Sequence, residues 1–260
     1  MNDVSVGNVA SPRTPGVSKE AIRCVAIDAV GTLFAADPPV DIAYFEIGRL
    51  HGSRLDQQTI GQRLGKAFAK LSGDDRSLET SEAAEEAWWK EVVSEVFRDS
   101  GIDDRLEHCF SDLFHHFGMS ASWRCYADVG PTLEWLVASG IDFVVASNFD
   151  QRLHDVCRDW PLFQQARAMV VSSEVGWKKP AAGFYESVLV ASGCEARHVL
   201  MVGDDLRNDV RGALACGLQA VHLDRDGTGD ARGHSGGQSG RHAVIRSLAE
   251  LPRLLGGFPT

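Results

Sequence analysis

Short apolar runs that stop at polar or turn residues recur along the chain. Arg23-Cys24-Val25-Ala26-Ile27 runs into Asp28, with Gly31 and Thr32 just behind. Ile141 to Ala146 is apolar apart from Asp142 and stops at Ser147. Ala168 to Val171 is a third run, Val199 to Val202 stops at Gly203-Asp204, Ala220 to Leu223 is a fifth, and Ala243 to Ile245 is a weaker sixth. Runs of this length bounded by turn residues predict buried strands. Between them lie segments of helical period. These are Pro131 to Ala138, Phe184 to Ala191 with Gly193 behind it, and Asp209 to Cys216 closed by Gly217. Strand and helix alternating in this way from about residue 125 onward predict a parallel sheet covered on both faces.

Residues 38–124 read differently, with no strand expected. Ile42, Phe45, Ile47 and Leu50 share one helical stripe, and Ile60, Leu64, Phe68 and Leu71 a second. Trp88, Val92 and Val96 form a third behind a Ser81 N-cap, and Leu106, Phe110, Leu113 and Phe117 a fourth. Glu82, Glu85 and Glu86 complement the dipole of the third helix. The expected organisation is a flexible tail over 1–20, an α/β core over 21–36 and 126–260, and a helical insertion over 37–125. Residues 226–241 are Gly-rich and expected to form a surface loop without a phosphate-loop pattern. Leu248, Leu251 and Leu254 predict a short closing helix.

The chain has 260 residues, 44% hydrophobic and 24% charged, which suits a globular core. Its 36 acids against 26 bases give a formal charge of −10, so no nucleic-acid partner is expected. No run reaches the roughly 20 apolar residues of a membrane span. Neither a membrane association nor a signal peptide is expected. The six cysteines make no CxxC pair and show no zinc spacing; they read as reduced thiols in a cytoplasmic protein.

In parallel α/β sheets, sites form at the carboxyl ends of the strands. Asp28, Ser147 and Asp204 each end a strand, and Lys178-Lys179-Pro180 follows the strand at 168–171. A carboxylate can attack phosphorus or an activated carbon. Asp28 with Asp204, Asp205 and Asp209 makes an acidic pocket that favours a cation, and oxygen-only donors suit Mg²⁺. A lysine and a hydroxyl supply donors for the oxygens of a transferred phosphoryl group.

Asp28-Ala29-Val30-Gly31-Thr32-Leu33, Ser147-Asn148, Lys179-Pro180 and Gly203-Asp204-Asp205 through Asn208-Asp209 resemble, in order, the four motifs of the haloacid dehalogenase (HAD) superfamily. The helical insertion falls where that superfamily places a subclass I (C1) cap, on a Rossmann-like core. Ser147-Asn148-Phe149-Asp150, the stretch from Ser173 to Pro180, and Trp88-Trp89 are similar to the group called haloacid dehalogenase-like hydrolase domain-containing protein 3. The resemblance implies Asp28 as nucleophile and metal ligand, with the Val30 carbonyl and Asp204 as further ligands of Mg²⁺. It places Asp205 and Asp209 behind the metal, Thr32 in the motif turn, Ser147 and Asn148 at the phosphoryl oxygens of a small-molecule substrate, and Lys179 between Asp28 and substrate. The oligomeric state is not implied.

One position departs from the phosphatase pattern. Two residues after the nucleophile such enzymes carry a second Asp that protonates the leaving oxygen, and here Val30 stands there. Proton transfer of this kind contributes roughly 10²–10⁴-fold. Three readings follow, in order of preference. The first is a Mg²⁺-dependent phosphohydrolase, acting through an aspartyl-phosphate and slow or specialised for good leaving groups. The second is a low-turnover or non-catalytic binding protein. The third is a metal-independent 2-haloacid dehalogenase, whose motif also lacks the second Asp but for which Arg49 is a poorly spaced candidate carboxylate binder. Plainer readings accompany these. Asp205 serves equally as a helix N-terminal charge, Lys178 as a surface lysine, Trp88 and Trp89 as core, and His115 and His116 as surface or partly buried positions that do not share a face.

Overall fold

The computed structural model describes residues 22–71, 77–227 and 242–256. The tail expected over 1–20 and residues 228–241 of the Gly-rich stretch lie outside them. The strands are β1 (Cys24–Ile27), β2 (Phe34–Ala36), β3 (Trp123–Cys125), β4 (Asp142–Ser147), β5 (Ala168–Val171), β6 (Val199–Gly203), β7 (Gln219–Leu223) and β8 (Ala243–Ile245). The helices are α1 (Val40–Leu50), α2 (Gln57–Leu71), α3 (Glu82–Phe97), α4 (Leu106–His116), α5 (Val129–Ala138), α6 (Arg152–Arg158), α7 (Ser172–Val175), α8 (Ala182–Ser192), α9 (Gly212–Ala215) and α10 (Leu251–Leu254).

Six strands form one parallel sheet in the order β5-β4-β1-β6-β7-β8. Successive side chains on a strand point to opposite faces, and here both faces are covered. Val25, Ile27, Phe143 and Val145 pack with Leu133 and Leu136 of α5 and Leu153 and Val156 of α6. Cys24, Ala26, Val144 and Met201 pack on the other face with Phe184, Tyr185 and Val188 of α8. This two-sided burial is why the strands read as unbroken apolar runs. Helices α1 to α4 fall between β2 and β3 and bury a separate cluster that includes Ile60, Leu64, Val92, Val96 and Leu113.

Some local expectations need correction. Strands β2 and β3 pair antiparallel, Phe34 opposite Cys125, at the two ends of the helical segment. With three residues each they are too short to show alternation. Helix α1 buries Ala43, Tyr44 and Gly48 rather than the Ile42 stripe, and Leu50 is 80% exposed. The cause is a close approach: Tyr44 stacks on Phe97 with centroids 6.1 Å apart, and a Cβ on Gly48 would meet Phe97 Cζ at 2.7 Å. The helix expected over 209–216 is split into a π-helical turn, Leu206–Arg211, and α9. Ser81 does cap α3, its hydroxyl accepting from the Ala84 N–H. His115 is exposed and His116 half-buried.

Asp128, just before α5, fastens the C-terminal segment to the sheet. Its carboxylate accepts from Arg225 Nη1 and Nη2 at 2.9 and 3.0 Å, the Ser247 hydroxyl at 2.7 Å and the Leu248 N–H at 2.8 Å. Burial alone would raise its pKa, but these donors overcome that and hold it below the usual value. Asp128→Ala is expected to lower the unfolding free energy by about 3 kcal/mol at neutral pH. A carboxyl whose folded pKa is depressed contributes stability that is complete above its unfolded value of about 3.9 and is lost as pH falls through the folded value. Urea unfolding of wild type and variant should therefore show a constant gap from neutral pH down to about 5, narrowing in more acidic buffer.

Candidate active site

The site lies where β1, β4 and β6 end. Asp28 follows β1 directly, and its N–H donates to the Val202 carbonyl of β6 at 2.9 Å. The chain then folds back tightly, with the Ala29 carbonyl accepting from Leu33 N–H at 2.7 Å and Phe34 N–H at 3.2 Å. Gly31 makes this turn at φ 86°, and a Cβ there would stand 2.6 Å from Asp204 Oδ2. Glycine serves both needs, tolerating the left-handed conformation and leaving room for the carboxylate.

Lys179 is the electrostatic centre. Its ammonium, 2% exposed, donates to Asp28 Oδ1 at 2.6 Å, Asp209 Oδ1 at 2.7 Å and the Ala146 carbonyl at 3.0 Å. All three of its N–H groups are thereby used. Burial alone would lower the lysine pKa, but Asp209 and Asp28 more than reverse this and hold it above the ordinary range. Burial pushes Asp209 up to about 7, with the Asp28 charge adding and Lys179 opposing. Asp28 is raised as well, chiefly by burial and further by Asp204, against Lys179. Oxygens of Asp28, Asp204 and Asp209 lie within 4.8 Å of one another. Two buried carboxylates thus share one ammonium, with half-buried Asp204 beside them, and such a cluster of oxygen donors suits a hard cation.

The other residues singled out in the sequence fall around this centre. Thr32 is fully buried in the turn, its Oγ1 3.5 Å from Asp204 Oδ1. Ser147 is buried at the end of β4. Asn148 grips the backbone of Lys179 with both ends of its amide, Oδ1 accepting from the N–H at 2.7 Å and Nδ2 donating to the carbonyl at 3.1 Å. The structure thus uses Asn148 to position the lysine. Asp209 Oδ2 accepts from the Asp205 N–H at 3.0 Å. Asp205 turns its own carboxylate to the N–H groups of Arg207 and Asn208, both at 2.8 Å, and to Asn208 Nδ2 at 2.9 Å. Of the two, Asp209 joins the lysine while Asp205 caps the turn that delivers it. Val30 is 40% exposed and borders a cavity of about 360 Å³ between the turn and α1, α3 and α4.

Other contacts are not evident from sequence. Lys178, expected at the surface, pairs with Glu85 of α3 at 2.8 Å. Glu82 accepts from the Gln151 N–H at 3.1 Å and from the Ser173 hydroxyl. Both acids sit where helix-dipole complementarity already accounts for them, so nothing in their spacing marks them as ties to the sheet. Arg152 forks onto Asp150 at 2.8 and 2.7 Å, donates to the Phe114 carbonyl at 2.7 Å and stacks on the Phe114 ring. Arg49 is exposed beside Phe45.

The chain is similar to known proteins over most of its length. A HAD-hydrolase-like family model matches residues 176–251. Haloacid dehalogenase-like hydrolase domain-containing protein 3 of Bos taurus is 24% identical over 202 residues, covering 76% of this chain and 80% of that protein. A HAD phosphatase from Thermococcus onnurineus shares the fold at TM-score 0.59 and 22% identity, covering 91% of this chain and 99% of its own. L-2-haloacid dehalogenase from Xanthobacter autotrophicus, with chloropropionic acid covalently bound, does so at TM-score 0.62 and 18% identity, covering 92% and 100%. With a family model matching its C-terminal part, relatives about a quarter identical over most of its length and the acid-and-lysine centre at the strand ends, the chain is similar to hydrolases of the haloacid dehalogenase superfamily.

Proposed function

We propose that the protein is a Mg²⁺-dependent phosphohydrolase that works through an aspartyl-phosphate on Asp28 and acts on small phosphorylated molecules with good leaving groups. The observation that carries this reading is the cluster of hard oxygen donors from Asp28, Asp204 and Asp209, within 4.8 Å of one another beside the buried Lys179 ammonium. Asp28, Asp204 and the Val30 carbonyl are hard oxygen donors that would hold Mg²⁺, with Asp209 adding charge behind them. When bound, the ion supplies positive charge for the phosphoryl oxygens.

The chain's own residues account for the rest. Asp28 attacks phosphorus, and Lys179 holds the attacking carboxylate in place while balancing charge. Ser147 donates to the phosphoryl oxygens. Asn148 fixes the Lys179 backbone, and Asp204 is set by the Gly31 turn. Val30 can neither give nor take a proton, so the leaving oxygen departs with its electron pair unassisted. The dehalogenase reading ranks lower because a 2-haloacid needs a cation for its carboxylate. Arg152 borders the Val30 cavity, but Asp150 and Phe114 already occupy it.

Two substitutions test the turn. Val30→Asp restores a proton donor and is expected to raise turnover of an alkyl phosphate such as glycerol phosphate by about 10²-fold or more. A folded variant with no gain would locate the limitation elsewhere. Gly31→Ala strains a left-handed residue and pushes on Asp204. It is expected to cut kcat/KM for an aryl phosphate by about 10²-fold, with a far smaller change in Tm than in rate.

A further inference from the structure

The cavity beside Val30 lies entirely within described residues and adjoins the reacting centre, since Val30, Gly31 and Asn148 form one side of it. Its far walls come from the helical insertion, through Tyr44, Phe68, Val93, Leu113, Phe114 and Phe117. The lining is mostly apolar: its amide and guanidinium side chains are engaged elsewhere, Trp123 donates to the Phe117 carbonyl, and Tyr44 and Trp89 add one hydrogen-bonding group each. Asn148 is bound at both ends to the Lys179 backbone, and Arg152 is held by Asp150 and the Phe114 carbonyl. A sugar body placed here would leave most of its hydroxyls without partners, which is costly. An apolar body gains from burial.

A second constraint comes from Val30. Without a proton donor, the ease of departure follows the acidity of the leaving oxygen. Carboxylic acids have pKa values near 4, phenols near 10 and water about 15.7. A carboxylate therefore leaves most readily as the bare anion.

The geometry points to an acyl phosphate of an apolar carboxylic acid as the substrate class, with the acyl chain in the Val30 cavity and the phosphate at Asp28. This rests on the phosphohydrolase reading and narrows it. In the first step an Asp28 oxygen bonds to phosphorus while the bond from phosphorus to the acyl oxygen breaks. The carboxylate leaves with that electron pair, and no proton moves. In the second step water attacks phosphorus, the bond to Asp28 breaks, and both water protons remain with the released dihydrogen phosphate. Neither step consumes an oxidant or reductant.

The test is a chain-length series of acetyl, butanoyl and hexanoyl phosphate, whose leaving groups are nearly equal in acidity, with phenyl phosphate alongside. Added methylenes are expected to raise kcat/KM by about fourfold each until the cavity is filled. Ala36→Phe, which fills the cavity from the half-buried edge of β2, is expected to flatten the series. Calorimetry with methyl- and hexylphosphonate provides a readout independent of turnover, and the longer phosphonate is expected to bind at least tenfold tighter. Acetyl phosphate hydrolysis with no chain-length gain would overturn the apolar assignment and leave the phosphohydrolase reading standing. Phenyl phosphate outpacing hexanoyl phosphate would overturn the acyl assignment. If no phosphate were hydrolysed, the phosphohydrolase reading would fail and the phosphonates would decide the cavity, equal affinities overturning its role.

Discussion

Asp28→Asn is expected to remove Mg²⁺-dependent phosphate release by at least roughly 10³-fold, because an amide oxygen cannot form the covalent intermediate. The same change should not harm the fold. Asp28 is a buried carboxylate whose ionised form is disfavoured by its burial and by Asp204. An uncharged amide of similar shape lightens that repulsion, and Lys179 keeps Asp209 as its partner at 2.7 Å. The variant should therefore unfold at the same temperature as wild type or higher, as expected where a site is arranged for chemistry at the expense of stability. Activity persisting in Asp28→Asn would remove the nucleophile assignment. Activity lost together with several degrees of Tm would mean that Asp28 serves the fold.

Lys179→Met has the opposite profile. It removes the ammonium that three buried acceptors share and leaves Asp28 and Asp209 facing each other uncompensated. Removing one partner of a buried ion pair costs about 3–5 kcal/mol. Urea unfolding should show a loss of that size together with a loss of turnover. Excess Mg²⁺ should recover part of the stability by binding the uncompensated negative charge, but not the activity. A variant as stable as wild type would show that Lys179 is not the counter-charge of this site.

The sheet is legible in the sequence because its inner strands are buried on both faces and so appear as apolar runs ending at turns, while the weaker run of β8 matches its half-exposed edge position. The strand ends then identify Asp28, Ser147 and Asp204 without any structure. Lys179 is legible through Pro180 and its order in the chain, but its bridging geometry is not, since Asp209 reaches it only through the π-helical turn from Leu206 to Arg211. Asp205 and Asp209 look alike as letters, and what separates them is which way that turn aims each carboxylate. Periodicity misplaces the buried face of α1 because it counts large apolar side chains, whereas the contact is made by Gly48 and Ala43 allowing Tyr44 to reach Phe97. Likewise no spacing rule reveals that Arg152 is tied to Asp150 and to the Phe114 carbonyl, 38 residues away.

The central claim is that a carboxylate-rich, metal-dependent centre at Asp28 breaks a phosphate bond rather than a carbon–halogen bond. The most direct measurement is turnover of an aryl phosphate and of a 2-haloacid by the wild-type chain, each with Mg²⁺ and with a chelator. Phosphate release that requires Mg²⁺ and stops on chelation, with no halide from the haloacid, is the predicted result. Halide release unaffected by the chelator would contradict the account and assign the cavity beside Val30 to a haloacid.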